Sequence, residues 1–355
     1  MKTSRLNRVL SGMEKCKIPQ ALVTSTESVY YLTGLWISPG ERLMALLIDK
    51  GGCKLFVNHM FAVPKVEGLQ LVEFDDADDS VSVLAAHVNP GRLGIDKAWP
   101  SRFLLSLMEK RGDIQPVHGS GPVDEARMLK DSEEIAALRV SSRMNDRVTG
   151  ALRQSLVEGE TELDVARRYA DLGVQEGASA LGFEPLICFG AGCAEPHHAT
   201  GKARLQKGDA VILDVGVNVD HALSDMTRTV FFSAATDEQK KVYEIVRAAN
   251  QAGKAAVRPG AKLSDIDRAA RSVIEQAGYG PNFLHRTGHG LGLEVHEPPD
   301  VSAISPTVAQ PGMVFSIEPG LYLPGKFGVR VEDLVLVTED GCECLNELDR
   351  DFMIV

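Results

Sequence analysis

Asp214 and Asp225 lie in one stretch, Val211 to Phe232, where apolar and β-branched runs flank a polar centre at Asn218 to His221. That pattern predicts two strands joined by a turn. A hairpin symmetric about the Val219–Asp220 bond sets Asp214 directly across from Asp225. Cβ atoms paired in this way are roughly 4.5–5.5 Å apart, and carboxylates that close repel unless a proton or a cation lies between them. Arg228 is the nearby cation, but three residues beyond Asp225 it falls on the other face of the strand. A second stretch repeats the construction: Val314 to Gly320 and Gly328 to Val335 flank a connection containing Pro324 and Gly325. Centred on Gly325, Glu318 faces Glu332, and Arg330 shares a strand face with Glu332.

Between the two stretches lies Gly288-His289-Gly290-Leu291-Gly292, followed by His296. Its spacing is not that of a dinucleotide-binding fingerprint. Its glycines allow close backbone approach, and His289 is the natural nitrogen ligand beside Asp214, Asp225, Glu318 and Glu332. Four carboxylates brought together without cations are costly. Two divalent cations would neutralise them, and a carboxylate-rich set with one imidazole suits Mn²⁺, Fe²⁺, Co²⁺ or Zn²⁺. Facing acids can bridge two ions roughly 3.5–4 Å apart, an arrangement that favours hydrolysis.

The elements that must position these residues recur along the chain. Gly159 to Arg167, with Gly177 after it, resembles Gly260 to Arg268, with Gly278 after it, at a constant offset of 101. Each opens a helix, with Thr161/Asp164 and Ser264/Asp267 as capping pairs, and each helix ends near its glycine. Longer helices over 132–156 and 237–257 precede them, and a carboxylate hairpin follows each. Two similar helix–helix–hairpin halves are expected, with the hairpins side by side in one sheet and helices on one face. Residues 1 to about 120 alternate strands (21–25, 43–48, 54–57, 71–74, 93–95) with helices (the opening segment, 80–87, 101–110), an α/β domain that assembles no chemistry of its own. Tyr30, Tyr31 and Trp36 read as core or interface residues. His118 to Pro122 is the best linker, giving domains 1–122 and 123–355.

A chain of 355 residues with a net charge of −11 and no basic cluster offers no nucleic-acid or anionic-membrane surface. No run of about 18 apolar residues suggests a membrane span. The start, Met1 to Ile18, lacks an apolar signal segment. The six sparse cysteines have no zinc-site spacing, so reduced thiols and a cytoplasmic setting are expected, with Cys193 a packing residue.

Five motifs in order then carry a resemblance: Asp-Val-Gly at 214–216, Ser-Asp-Met-Thr-Arg-Thr at 224–229, Gly-His-Gly-Leu-Gly-Leu-x-Val-His-Glu-Pro-Pro at 288–299, Ser-Ile-Glu-Pro-Gly at 316–320 and Val-Arg-Val-Glu-Asp at 329–333. Together they closely resemble the prolidase and Xaa-Pro aminopeptidase branch of the M24 pita-bread metallopeptidases. The first domain resembles, less distinctly, the creatinase-type N-terminal domain, with Tyr31-Leu-Thr-Gly34. The resemblance implies a mixed α/β (α+β) chain with two divalent ions, most readily Mn²⁺. Asp214 would bind one ion, Asp225 and Glu332 both, and His289 and Glu318 the other, with Glu318 also a candidate general base. His197, after Pro196, would hydrogen-bond substrate, with His198 competing for that role on chemistry alone. His296 would contact substrate and Arg330 would anchor the site. A homodimer is implied, with residues around Trp36 to Arg42 as candidates to close the partner's pocket. Hydrolysis of the Xaa-Pro bond in dipeptides is the leading expectation. The alternatives are an aminopeptidase on longer peptides, a C–N hydrolase or lyase, and a non-enzymatic binding module. One departure stands out: Asp220-His221-Ala222 replaces the usual Asp-Gly-Tyr, so altered turn packing is expected.

Overall fold

The computed structural model describes residues 1–355. The chain divides into two compact units, Met1–Arg127 and Met128–Val355.

The first unit is a six-stranded sheet with helices. Its strands are β1 (Ala21–Val23), β2 (Ala45–Asp49), β3 (Gly52–Asn58), β4 (Leu69–Phe74), β5 (Gly91–Ile95) and β6 (Ile114–His118), in the order β4-β3-β2-β1-β5-β6. β1, β5 and β6 are parallel, as are β3 and β4. The helices are α1 (Thr3–Lys15), α2 (Thr26–Thr33), α3 (Ser80–Ala85), α4 (Ser101–Lys110) and α5 (Gly121–Met128). Pattern reading did not find β6 or α2. His118 to Pro122, read as a linker, is instead the end of β6 and the start of α5. Tyr31 on α2 is fully buried, and its hydroxyl donates to Ala126 O at 2.9 Å, which ties α5 to this unit.

The second unit carries the repeat. Its first half comprises α6 (Ser132–Gln154), α7 (Glu162–Glu176), β7 (Ala180–Leu181), β8 (Leu186–Phe189), β9 (Ala210–Val215), β10 (Val217–Val219), β11 (Ala222–Leu223) and β12 (Met226–Phe231). Its second half comprises α8 (Asp237–Ala256), α9 (Leu263–Gln276), β13 (Gly288–Gly290), β14 (Glu297–Val301), β15 (Val314–Ile317), β16 (Gly320–Leu323), β17 (Phe327–Arg330), β18 (Asp333–Val337) and β19 (Cys342–Cys344). α6 starts from a capping box in which Asp131 and Glu134 satisfy each other's backbone N–H groups. α7 has the expected Thr161/Asp164 box and ends on Gly177 at φ 92°. α9 does not have the Ser264/Asp267 pair: Lys262 is its N-cap, and Asp267 is drawn away to Thr287 and Arg271. Leu263, Ile266, Ala270 and Ile274 form one apolar stripe on α9 and are all fully buried.

The acids sit where strand ladders stop. β9 and β12 pair with Thr227 opposite Asp214, and β10 and β11 continue the same register. The hairpin centre therefore lies one residue later than the symmetry argument assumed, at a two-residue turn of Asp220 and His221 with φ 49° and 72°. Hairpin turns with positive φ at both positions favour glycine; here a histidine occupies the second. The slip in pairing is two residues, so Asp214 and Asp225 keep a common face but sit diagonally rather than opposite. The second hairpin has the expected centre. β15 pairs with β18 and β16 with β17 in one register about Gly325, which brings Glu318 across from Glu332 in the gap between the ladders.

The strands do not form one continuous sheet. The unit holds three-stranded, five-stranded and two-stranded ladders. At the breaks, backbone groups turn to other partners: Glu332 N donates to Thr227 O at 3.1 Å and Glu318 N to Thr287 O at 2.8 Å. Two close approaches require glycine there. A Cβ on Gly216 would lie 2.2 Å from Ser224 O, and one on Gly288 would lie 1.8 Å from Ser316 O.

Candidate metal centre and active site

Helices place the backbone around the acids. On α6, Asn145 Nδ2 donates to Val215 O at 2.8 Å, beside Asp214. On α8, Asn250 Nδ2 donates to Ile317 O at 2.8 Å, beside Glu318. The two halves use the same device, which spacing alone did not reveal.

Asp214, Asp225, His289, Glu318 and Glu332 all line one cavity of about 740 Å³. His197, His296 and Arg330 line it too. His198 does not: its Nε2 lies 2.9 Å from the fully buried Glu162 carboxylate on α7. Arg228 points away from the acids, as its strand face requires. It binds Asp333, Leu348 O, Asp349 O and Glu332 O instead.

The tautomer of His289 follows from its partner. Nδ1 lies 3.2 Å from Gly290 O, which can only accept, so Nδ1 carries the proton. Nε2 then presents a lone pair, 3.3 Å from Glu318 Oε1 and 3.7 Å from Asp225 Oδ2. Burial pushes this imidazole down to about 4, so it stays neutral. The donor atoms of Asp225, His289 and Glu332 lie within 4.8 Å of one another. Asp225 Oδ1 and Glu332 Oε1 are buried with no hydrogen-bond partner.

These two orphaned oxygens test whether a cation fits. Leaving a buried acceptor unsatisfied is costly, more so for a charged group. A divalent ion would take up both oxygens and the free Nε2 lone pair, and the oxygen-rich set with one nitrogen is the donor chemistry of such ions. Without it, burial and then the neighbouring acids Asp214 and Glu318 hold the Asp225 carboxyl well above its usual range. Burial, Asp225 and Glu318 do the same to Glu332. Burial also raises Glu318, against the pull of His285 and Arg330.

A pH dependence of the metal-free protein follows. Carboxyls with a raised folded-state pKa stabilise the fold in acid, and that contribution is lost as pH rises through the raised values. Above the range in which the lowered His289 and His296 imidazoles add a slope of the opposite sign, chelator-treated protein should therefore melt at progressively lower temperature from neutral to alkaline pH, and saturating divalent metal should flatten the slope. A melting temperature of the chelated protein that rises with pH across this window would refute the assignment.

Arg330 is held on every side. Nη2 donates to Asp214 Oδ2 at 2.5 Å, Nη1 to Tyr322 Oη at 2.7 Å and Nε to Thr227 Oγ1 at 3.2 Å. Thr227 Oγ1 donates onward to Glu332 Oε2 at 2.7 Å. Tyr322 in turn meets His285: His285 Nδ1 lies 2.7 Å from Arg286 O and must donate, so Nε2 accepts from the tyrosine hydroxyl at 2.8 Å. Sequence reading missed Thr227, His285 and Tyr322. Their hydroxyl and ring partners lie on other strands, and no local spacing marks them. Nearby, Lys130 and Glu297 form a buried ion pair at 2.5 Å, with side chains 2% and 3% exposed, next to the Gly292 backbone. His296 packs its ring 4.2 Å from that of His289. Burial, then His289 and Arg286, lower its pKa.

Residues 136–339 match the model of metallopeptidase family M24, and residues 5–129 that of the creatinase/prolidase N-terminal domain. The chain belongs to metallopeptidase family M24. It is a metallopeptidase, and enzymes of this family work with divalent metal ions. Among its relatives, YkvY of Bacillus subtilis (strain 168) is 34% identical over 371 residues, covering 99% of this chain and all of that one. Among solved structures, a recombinant prolidase from Thermococcus sibiricus superposes with a TM-score of 0.95 at 32% identity, covering 100% of this chain and 99% of the other. Dipeptidase PepE from Mycobacterium ulcerans gives 0.93 at 32% identity, covering 100% and 98%. No helix is long and apolar enough to cross a membrane. All six cysteines are unpaired, and Cys193 is buried with its Sγ 3.0 Å from Cys188 O.

Proposed function

We propose that this metallopeptidase is an Xaa-Pro dipeptidase, hydrolysing the bond between an N-terminal residue and a following proline. The observation that carries the hydrolytic reading is the pair of orphaned buried carboxylate oxygens beside His289 Nε2 in a four-carboxylate cavity. The Xaa-Pro substrate is supported by the end-to-end likeness to a prolidase. Asp214 would hold one divalent ion, His289 and Glu318 a second, and Asp225 and Glu332 both, with Mn²⁺ the best-suited metal and Co²⁺, Zn²⁺ or Fe²⁺ as substitutes. Two such ions supply a water of lowered pKa and polarise the scissile carbonyl.

The chain's own residues do the rest. Glu318 takes the proton of the attacking water and returns it to the leaving proline nitrogen. His197 donates a hydrogen bond to the carbonyl oxygen as it gains negative charge. His296, against His289, contacts the substrate. Arg330 fixes the Asp214 carboxylate through its 2.5 Å contact. The Xaa-Pro amide has no N–H, so recognition must rest on the two chain ends and the ring. The active form would be a homodimer working in the cytoplasm. Trp36, 37% exposed in the first unit beside Tyr30, is a candidate for the subunit contact.

The test is hydrolysis of Xaa-Pro dipeptides and Xaa-Pro-Yaa tripeptides by protein stripped of metal and reloaded with Mn²⁺, Co²⁺ or Zn²⁺. Metal-dependent release of proline from dipeptides is the expected result. Preference for tripeptides would make the enzyme an aminopeptidase. Bound metal without cleavage of either would sink the substrate assignment and leave a C–N hydrolase or lyase.

A further inference from the structure

We propose that Glu162, acting through His198, is a positioning residue for the reaction: the pair aims His197 at the reacting carbonyl. This rests on the role given to His197 above and adds what holds that histidine in place. Neither Glu162, on α7, nor His198 lines the cavity.

His197 sits at the tip of a loop. The chain leaves β8 at Phe189 and makes a short 3-10 helix over Gly190–Ala194. A tight turn over 195–198 follows, closed by His198 N donating to Glu195 O at 3.2 Å. Pro196 and His197 are the two central residues of this turn. Proline suits the first of them, because its fixed φ matches the turn, and His197 is thereby set at the second. His197 is exposed on the cavity wall, so its aim depends on how firmly the turn is held.

The turn is pinned on both sides of His197. Before it, Arg330 Nη1 donates to Pro196 O at 3.4 Å. After it, His198 places Nε2 2.9 Å from Glu162 Oε2. A carboxylate can only accept, so Nε2 carries the proton. The other ring nitrogen, Nδ1, lies 3.8 Å from Glu195 Oε2, too far for a hydrogen bond, and the Glu195 side chain is 76% exposed. The His198 ring packs against Gly192, where a Cβ would lie 3.1 Å from Cε1. The bond to Glu162 is therefore the polar contact that fixes this ring.

Glu162 is built as an anchor for this loop. It is fully buried, and its oxygens accept from three donors: Phe189 N at 3.0 Å, Gly201 N at 2.8 Å and the His198 ring. A buried carboxylate is costly unless its lone pairs are satisfied, and hydrogen bonds to a charged acceptor are the strong ones. Phe189 and Gly201 bracket the loop, and His198 is the residue next to its tip. One carboxylate thus ties the start, the tip and the end of the segment 189–201 to the first turn of α7. The two backbone bonds close the loop; the third, to His198, fixes where His197 stands. A misplacement of about 1 Å at a reacting centre can cost on the order of a hundredfold in rate.

The test uses metal-loaded enzyme with alanylproline. His198→Phe keeps a ring and removes the donor, and it should lower kcat roughly tenfold to a hundredfold. KM should stay within about twofold, because a hydrogen bond to the developing oxyanion is made only in the transition state. His198→Gln, whose amide N–H reaches the same carboxylate, should recover most of the loss. Glu162→Gln, which cannot serve all three donors, should lower kcat in the same way. In a His197→Ala background, His198→Phe should cost nothing further in kcat, since the pair acts through His197. Metal content should equal wild type throughout. Full activity in His198→Phe, a loss carried by KM or by missing metal, or losses that add in the double variant would overturn the proposal. If wild type does not cleave alanylproline, the peptidase reading fails by itself, and crystal structures decide the present one. The His197 ring should be displaced by about 1 Å or more in His198→Phe and return in His198→Gln; a ring that stays in place in His198→Phe refutes the role.

Discussion

Asp225→Asn should abolish hydrolysis, lowering kcat/KM on the order of a thousandfold or more, while making the metal-free protein more stable. Both signs have one cause. Asp225 is 4% exposed, one of its oxygens has no hydrogen-bond partner, and Asp214 and Glu318 repel its charge. In the absence of a cation this carboxylate is a liability, and the amide of nearly the same shape removes it. We expect a gain of about 1–3 kcal/mol in unfolding free energy for chelated Asp225→Asn over chelated wild type at neutral to alkaline pH. With metal present the order should reverse, because only wild type can gain binding energy. Activity assays and denaturant unfolding with and without chelator measure all of these. A variant that loses activity but is also less stable without metal would mean that Asp225 is an ordinary structural acid.

Asp333→Asn should cost about 3–5 kcal/mol of stability, for the opposite electrostatic reason. Asp333 is fully buried and surrounded by cations: Arg228 at 2.8 Å, Lys254 at 2.6 Å and Arg350 at 2.7 Å. Burial alone would raise its carboxyl, but Arg228, Arg350 and Lys254 hold it well below the ordinary range. A lowered carboxyl stabilises the fold above its unfolded pKa and loses that contribution as pH falls through the folded value. Its stabilisation therefore persists at neutral pH and disappears only in strong acid. The amide leaves three cations, of which Arg228 is fully buried, short of one negative charge. Because Asp333 follows Glu332, and Arg228 binds both Asp333 and Glu332 O, the variant should also bind metal more weakly. Equilibrium unfolding in urea reads the first effect and metal titration the second.

Much of the candidate site was legible because it is written in strand periodicity and turn residues. The second hairpin was centred correctly because Gly325, at φ 72°, marks its turn. The first was misplaced because its turn, Asp220-His221, adopts glycine-like backbone angles without a glycine. The two-residue error was harmless to the grouping, since side chains repeat every second residue. The capping pair at Ser264 and Asp267 failed for a tertiary reason, as Thr287 claims the aspartate. His197 and His198 were inseparable by local chemistry. What distinguishes them is Glu162, on a helix far back in the chain, which engages His198. Likewise, nothing in the spacing of Thr227, His285 and Tyr322 foretold that their hydroxyls and ring would lock Arg330 and Glu332.

Each of the two hairpins supports an acid of the other. Arg330 of the second half holds Asp214 of the first, and Thr227 of the first holds Glu332 of the second. Thr229 and Arg330 exchange two further bonds across the same seam. These partners are separated by more than a hundred residues of chain, so they meet only after a long-range loop closure. Neither half can assemble a competent ligand set during synthesis while the other is still missing. Metal capture is thereby tied to a long-range event of folding, and a nascent or half-folded chain is spared from sequestering ions at a site that cannot yet use them.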